Sequence, residues 1–405
     1  MPRRSDNFSQ NSNIIKAKTK KDGNSIKHDI FISGSIDIPF LAITIALLTI
    51  GLIMLFSASY PSAYALEKHD STIFIRKQLI FAVIGVVAMF ILSKFNYKWF
   101  KLIALPLAAV TILLLIVVLF VHTEVAAESG EEFKRWIKLG PVEFQPSDVA
   151  KFTLIVVMSL YISSFYSKMK KFKYGIVFPI LIMALFCGLV VLEHHLSCTI
   201  LLFLIGASLM FAGGTDWRLF AFGAAVVVIA VVIVVMAPDV LSDYAGVRIK
   251  AWLDKDFSPD DKRWQTNNSL YAIGSGGLTG VKLGNSRQKY LYVSQPQNDF
   301  IFSIVCEELG FIGAALIIAL FGALVCRGIK IAKNTTDRFG ALLVIGIVCQ
   351  VGLQVALNIL VVTDTIPNTG IALPFFSYGG TSMLMLLGEM GVVLSVSRKS
   401  SQKRV

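Results

Sequence analysis

Long apolar runs are the feature that most restricts how this chain can fold. Ten runs have the length and composition of helices that cross a bilayer. They span residues 38–58, 78–93, 102–121, 147–166, 175–192, 197–213, 219–237, 301–326, 339–362 and 380–397. Only 16% of the 405 residues are charged, whereas soluble domains carry about 25%. The sequence therefore predicts an all-α polytopic membrane protein with about ten transmembrane helices.

Basic residues are unevenly distributed between the two ends of these runs, and this predicts the orientation of the chain. Lys and Arg are frequent in the N-terminal tail, in alternate loops and at the C-terminus. Because basic loops stay on the cytoplasmic side of a membrane, we expect both termini there. The formal net charge of +12 is then explained by loops near anionic membrane lipids and does not indicate nucleic acid as a partner.

The same pattern divides the chain into three parts. Residues 1–37 form a basic tail that we expect to be mostly disordered in the cytoplasm. Residues 38–398 form one transmembrane domain, and residues 399–405 are a short cytoplasmic tail. Residues 238–300 are predicted to be a large extracytoplasmic loop between the seventh and eighth helices. Connections that long are usually functional, so we expect the chemistry on the outer side.

The second half of this loop is rich in glycine and polar residues. It contains Gln265, Ser269 and Lys289, with five glycines between residues 274 and 284. Such a loop can present backbone N–H groups to phosphate. The alternative is a re-entrant loop without a ligand, and glycine spacing alone does not decide between them.

Asp299 immediately precedes the largely apolar run from Phe300 to Val305 at the outer membrane boundary. A carboxylate at that depth is partly desolvated, which suits a general base. The alternative is a helix N-cap that accepts hydrogen bonds from the first turn of the eighth helix. Position alone leaves both interpretations open.

Two further polar groups lie at outer helix ends. Arg135 and Trp136 precede the fourth helix, and Lys151 lies one turn inside it, three residues after Asp148. The two cations suit a lipid-linked phosphate. The alternatives are an interfacial Trp anchor and a snorkelling lysine paired with Asp148.

Residues 367–382 combine two prolines, several hydroxyl groups and a glycine pair ahead of the last helix. Ser377, Gly379 and Gly380 belong to this stretch. Irregular backbone at membrane depth occurs where it is buried in protein or lines a cavity. We therefore expect the stretch to line a cavity, with an ordinary outer loop as the alternative.

Together these blocks resemble the SEDS family (shape, elongation, division and sporulation proteins). The resemblance covers the chain from about residue 40 onward. Its specific parts are Arg135-Trp136, Gln145-Pro146-Ser147 with Lys151, the segment from Ser269 to Lys289, Asp299-Phe300-Ile301-Phe302 with Glu307-Glu308-Leu309-Gly310, and the segment from Leu373 to Ser382.

The resemblance implies a peptidoglycan glycosyltransferase that polymerises lipid II at the outer face of the bacterial cytoplasmic membrane. Asp299 matches the family's catalytic aspartate, which would take the proton of the acceptor 4-hydroxyl. The resemblance implies that the substrate is bound by Arg135, Trp136, Lys151, Gln265, Ser269, Lys289, Ser377, Gly379 and Gly380. No cofactor or metal ligand is expected, although a divalent cation on the diphosphate is left open.

The expected partners are a class B penicillin-binding protein (a transpeptidase), components of the divisome and membrane lipids. The basic tail favours the FtsW-like division and sporulation branch, hence septal synthesis, and RodA-like elongation stays open.

The chain departs from the family pattern at Asn268, Asp148 and His195, the last of which takes the place of an aspartate. We interpret His194 and His195 as facing lipid headgroups. Two other functions stay open, a lipid II flippase and a scaffold for the transpeptidase, and neither requires a base at Asp299.

Overall fold

The fold was analysed in a computed structural model. It describes residues 30–402 apart from 33, 67–69, 122–134, 140–141, 224, 226–251, 254–261, 291 and 294. The principal helices of the described part are α1 Ile38–Leu66, α2 Ile73–Lys94, α3 Trp99–Phe120, α4 Pro146–Ser164, α5 Phe178–Leu192, α6 Leu196–Ala212, α7 Lys262–Gly276, α8 Ile301–Asn334, α9 Arg338–Val362 and α10 Gly380–Gln402. A 3-10 turn, Tyr166–Lys168, and a π-helical turn, Lys173–Val177, precede α5.

Eight helices among the described residues are long and apolar enough to cross a membrane: α1, α2, α3, α4, α5 with its preceding turn, α8, α9 and α10. The sixth predicted helix is present as α6, which is apolar but only 17 residues long. Only the start of the seventh predicted helix, 219–237, belongs to the described residues. The tail 1–29 and much of the predicted loop 238–300 also lie outside them. The prediction of an all-α membrane protein is confirmed.

The helices extend beyond the apolar runs at several ends. α2 begins at Ile73, five residues before the predicted start, and α8 continues to Asn334 rather than ending at 326. The added turns carry charged residues such as Arg76 and Lys333. Helical hydrogen bonds do not depend on side-chain polarity, and long basic side chains reach the headgroup region, so the helix continues where the hydropathy falls.

The helices pack as a bundle around α8, α9 and α10. α10 packs along α2, α8 packs against α1 and α9, and α9 also contacts α4 and α6. Small residues allow close approach: Gly85 faces Leu387 between α2 and α10, and Gly346 faces Ile155 between α9 and α4. Packing of this kind holds membrane helices together where the lipid removes the hydrophobic driving force.

One small sheet and one charged cluster lie at the two ends of the bundle. β1 Ile137–Leu139 and β2 Val142–Phe144 form an antiparallel hairpin just before α4. At the opposite end, Arg327 of α8 makes a two-pronged ion pair with Asp37, at 2.8 and 2.9 Å. Arg398 of α10 donates to the carbonyl of Gly34 at 2.7 Å. The start of α1 and the end of α10 are thereby tied to each other on one side of the bundle.

The first nine residues of α8 are separated from the rest by a break at Gly310. This residue has φ 68° and ψ −172°, a conformation almost restricted to glycine. The carbonyls of Glu307 and Glu308 accept instead from the N–H groups of Val281 (2.9 Å) and Lys282 (3.1 Å). The loop after α7 therefore completes the hydrogen bonding of the broken helix.

We expect Gly310→Ala to destabilise the protein, because the backbone strain alone costs about 1–3 kcal/mol. In addition, a Cβ at Gly310 would lie 2.3 Å from the backbone nitrogen of Gly280. Gly322→Ala on the same helix is the matched control, since nothing lies within 4 Å of a Cβ there. Denaturant unfolding of both variants in micelles checks this, and equal stability of the two would contradict the assignment of the break.

Candidate active site

Residues 367–379, which we call the hub segment, lie irregularly coiled in the interior of the bundle. Leu373, Phe375 and Phe376 are at most 2% exposed. A Cβ on Gly51 of α1 would lie 2.3 Å from the Phe375 carbonyl oxygen, so the segment is in direct contact with this helix. The stretch is irregular and its second half is buried in protein, so the alternative of an ordinary outer loop is wrong. That the stretch lines a cavity stays a prediction.

Four side chains from three helices satisfy the backbone of the hub segment. Gln78 of α2 donates to the Ser377 carbonyl (3.4 Å) and accepts from the N–H of Gly379 (3.1 Å). Gln354 of α9 donates to the Ala372 carbonyl at 2.8 Å, and Ser197 of α6 donates to the Thr369 carbonyl. The remaining contact comes from Asn358 of α9, described next.

The hub segment and α9 fix the backbone that carries Asp299. Three consecutive carbonyls accept hydrogen bonds: Gln297 from the Tyr378 N–H (2.9 Å), Asn298 from the Ser377 hydroxyl (2.8 Å) and Asp299 from the Asn358 amide (2.7 Å). The Asn358 amide also donates to the Ile371 carbonyl at 2.6 Å. The aspartate is thus held at the outer end of α8 by contacts to its main chain.

Asp299 is partly exposed, and its carboxylate lies beside Gly370. A Cβ at Gly370, whose φ is +68°, would lie 3.0 Å from Asp299 Oδ2, so only glycine leaves the carboxylate this space. The N-cap of α8 is Phe300, whose side chain makes no capping hydrogen bond. The alternative interpretation of Asp299 as an N-cap is therefore wrong.

Lys151 lies at the junction of α4 and α10. Its Nζ is 2.7 Å from Asp148 Oδ1, and both side chains are largely buried, at 12% and 8% exposed. The Ser382 hydroxyl donates to the other oxygen of Asp148. The Thr381 hydroxyl donates to the Glu143 carbonyl at 3.3 Å, joining the hairpin to the same helix. The predicted Asp148–Lys151 pairing is present, but the lysine is enclosed and does not snorkel.

The turn between α5 and α6 brings Arg135 next to the same junction. Its guanidinium donates to the carbonyl of His194, whose own side chain is exposed. His195 turns inward, and its Nδ1 lies 3.3 Å from both Gln145 Nε2 and Ser147 Oγ. Desolvation, with Arg135 and a nearby lysine, holds the pKa of His195 well below its usual value, so the ring is neutral. The headgroup-facing interpretation thus fits His194 and not His195.

Six of the ten predicted site residues are connected through these contacts. The hub segment joins Asp299, Ser377 and Gly379, and Gly380 begins α10 directly after it. The two cations, Lys151 and Arg135, lie around the outer ends of α4 and α6. Both hydrogen-bonding functions of the Ser377 hydroxyl are used inside the fold, since it also accepts from the Leu373 N–H at 2.7 Å. Trp136 is half-buried ahead of β1.

The other three predicted residues lie elsewhere. Ser269, fully buried on α7, donates to the Val362 carbonyl at 2.8 Å, and Gln265 lies one turn earlier on that helix, half-buried. Lys289 forms a buried ion pair with Glu308 at 2.8 Å and also donates to the Ser57 hydroxyl of α1. Glu308 is nine residues beyond Asp299, about 13 Å along a helix axis. Substrate binding by these three residues stays a prediction.

Several residues that build the site were not predicted from the sequence. Gln354 and Asn358 are uncharged amides inside one apolar run, Gln78 is the first residue of another, and all three hold the hub segment. Polar side chains at membrane depth are rare and usually have partners, so this signal was available in the sequence. Glu193, the buried acid before the histidine pair, was also missed.

We expect Lys289→Met to destabilise the fold, because it leaves Glu308 buried without a counter-charge; breaking such a pair costs about 3–5 kcal/mol. The double variant with Glu308→Gln should recover part of the loss, since no uncompensated charge stays buried. Denaturant unfolding in micelles checks both variants. If Lys289→Met leaves stability unchanged and raises only the KM for substrate, the ion pair is not structural.

Residues 39–402 match the family model of the FtsW, RodA and SpoVE cell cycle proteins. Stage V sporulation protein E of Bacillus subtilis (strain 168) is 37% identical over 377 residues, covering 90% of this chain and 97% of that protein. A probable peptidoglycan glycosyltransferase FtsW of Trichlorobacter lovleyi is 34% identical over 361 residues, covering 89% and 93% of the two chains.

Solved structures share the fold. A chain from work on the structural coordination of polymerization and crosslinking by a peptidoglycan synthase complex matches with a TM-score of 0.74 at 24% identity, covering 91% of this chain and 99% of that one. The Thermus thermophilus rod shape determining protein RodA matches with a TM-score of 0.63 at 24% identity, covering 90% and 97%. With the match across residues 39–402, the chain belongs to the SEDS family of FtsW, RodA and SpoVE proteins.

Proposed function

We propose that this protein is a peptidoglycan glycosyltransferase that polymerises lipid II at the outer face of the bacterial cytoplasmic membrane. The observation that carries the proposal is Asp299, a partly exposed carboxylate whose backbone is fixed on three successive carbonyls. A general base needs this combination of a rigid position and an accessible side chain. The names of its relatives, which are probable peptidoglycan glycosyltransferases, support the same activity.

In this mechanism Asp299 accepts the proton of the acceptor's 4-hydroxyl group. The hydroxyl oxygen attacks the anomeric carbon of the donor sugar and forms the new glycosidic bond. The bond from that carbon to the diphosphate oxygen breaks, and the lipid diphosphate leaves with the electron pair. Lys151 and Arg135 supply positive charge near the outer ends of α4 and α6, where they stabilise the departing diphosphate.

We also propose the cellular setting. The partner is a class B penicillin-binding protein, which accords with a fold neighbour that comes from a peptidoglycan synthase complex. Both termini lie in the cytoplasm, and the protein works with divisome components at the septum. The relatives named FtsW and stage V sporulation protein E favour division or sporulation over elongation. The chemistry is proposed to need no resident cofactor.

A lipid II flippase is the second candidate, favoured by the buried polar residues at membrane depth, such as Glu389, whose carboxylate accepts from Gln350 at 2.9 Å. A transporter needs such groups along a continuous path through the bilayer. The base at the outer rim instead favours chemistry there, so polymerisation is the function we propose.

We expect Asp299→Asn to lose about 10²–10⁴-fold in polymerisation, the usual contribution of a general base. The assay gives labelled lipid II to the purified full chain with its transpeptidase and separates polymer by gel. Asp216→Asn, which changes an exposed acid beyond α6, is the control and should match wild type.

A parallel sample with a chelator decides whether a divalent cation assists polymerisation. Polymer at the wild-type rate from Asp299→Asn would refute the role of Asp299, and lipid transfer across vesicles without polymer would support the flippase.

We expect Lys151→Met to lower kcat/KM about 10–150-fold, because a hydrogen bond to a charged group contributes about 1.5–3 kcal/mol. The single change also leaves Asp148 buried without its partner. The double variant Asp148→Asn, Lys151→Met removes both charges and should restore stability without restoring activity. Steady-state kinetics and unfolding of both variants test this. Recovery of activity in the double variant would show that Lys151 is needed only as a counter-charge.

A further inference from the structure

Glu193 is a buried acid that none of the contacts described above uses. It follows the last residue of α5 and is 0% exposed. Neither of its carboxyl oxygens has a hydrogen-bond partner among the described residues. The large majority of buried side-chain polar atoms in proteins have a hydrogen-bond partner, because an unsatisfied one costs free energy. A carboxyl group in this position therefore indicates a function that outweighs the cost.

The charged and titratable groups around Glu193 come from three elements. Arg135, in the segment just before the hairpin, contacts the residue that follows Glu193, since its guanidinium donates to the His194 carbonyl. α6 contributes the Cys198 thiol, and its N-cap His195 has a neutral ring. α4 contributes Asp148 and Lys151, which neutralise each other at 2.7 Å. Arg135 is thus the cation that acts most directly on Glu193.

The local charge of this pair depends on pH. Burial raises the pKa of Glu193 from 4.5 to about 8, and Arg135 opposes the rise only in part. An acid with a raised pKa is neutral below that value and ionised above it. At pH 7 Glu193 is therefore mostly protonated, so Arg135 and Glu193 together carry one positive charge. Above pH 8 the two charges cancel.

We propose that Glu193 is a positioning residue that controls whether Arg135 can bind an anion. With the proton on Glu193, the guanidinium keeps its charge for the diphosphate of a lipid-linked substrate. When the proton leaves, the carboxylate takes Arg135 as its partner, and the guanidinium no longer has its charge available for the diphosphate. The inference deepens the proposed function, on which it rests, and adds a proton-controlled affinity for the diphosphate.

The test measures kcat and KM for lipid II between pH 6.5 and 9.5 with the full chain in lipid nanodiscs. If only the protonated form binds, the wild-type KM rises about tenfold between pH 7 and 9, while kcat changes little. Glu193→Gln, which is permanently neutral, should keep the low KM at both pH values. Glu143→Gln is the matched control, an exposed glutamate on the same side of the protein, and should follow wild type.

A second variant keeps the inference falsifiable if Glu193→Gln does not fold. Arg135→Gln removes the cation, so its KM should be high and should lack the alkaline rise. An alkaline rise that persists in Glu193→Gln or in Arg135→Gln would overturn the proposal. A second outcome would also overturn it: Glu193→Gln is inactive at every pH, and Glu193→Asp restores activity. An ionised carboxylate would then be required for activity.

Direct binding separates this inference from the proposed function. Undecaprenyl diphosphate is titrated into wild type and both variants at pH 7 and 9. If diphosphate binding is about tenfold weaker at pH 9 than at pH 7 in wild type but not in the variants, the role of Glu193 is supported. That result stands even if no polymer forms, whereas the absence of polymer refutes the proposed function. Polymer formation with pH-independent diphosphate binding refutes the inference and leaves the proposed function intact. Absence of diphosphate binding by wild type at both pH values refutes the inference.

Discussion

The site depends on one requirement: the peptide groups of an irregular segment buried at membrane depth must all find partners inside the protein. The hub segment meets it with amide side chains of α2 and α9 and a hydroxyl of α6. These contacts fix the helices relative to one another as well as the segment. The outer end of α8 is fixed by the same contacts, so the position of Asp299 results from how the hub segment is satisfied.

Buried charges follow a similar logic at two other places. The Lys289–Glu308 pair joins the loop after α7 to α8 and α1, and the Asp148–Lys151 pair joins α4 to α10. Each ion has its counter-charge within 3 Å, as burial requires. Glu193 is different: within the described part of the chain neither carboxyl oxygen has a hydrogen-bond partner, and burial raises its pKa to about 8, so it is mostly protonated at neutral pH. This difference is why the turn between α5 and α6 is the part of the site that responds to pH.

The break in α8 explains how a rigid site and a deep ion pair coexist on one helix. Gly310 ends the hydrogen bonding of the outer nine residues, and the loop after α7 fills the gap. Hydropathy cannot reveal such a break, because it reports the polarity of side chains and not the backbone conformation of one glycine, and the chain is helical on both sides. The glycine itself was visible, but its conformation depends on a close contact with Gly280.

The sequence by itself determined the class of protein, most of the helices and the family, because apolar length and local motifs do not depend on distant residues. It also identified Asp299 and the Asp148–Lys151 pair, whose members are three residues apart. Only the tertiary structure decided the use of Ser377 inside the fold, the burial of Lys289 and the inward turn of His195. Their partners are remote in the chain, as with Lys289 and Ser57, 232 residues apart. Contacts of that kind arise only when the helices pack.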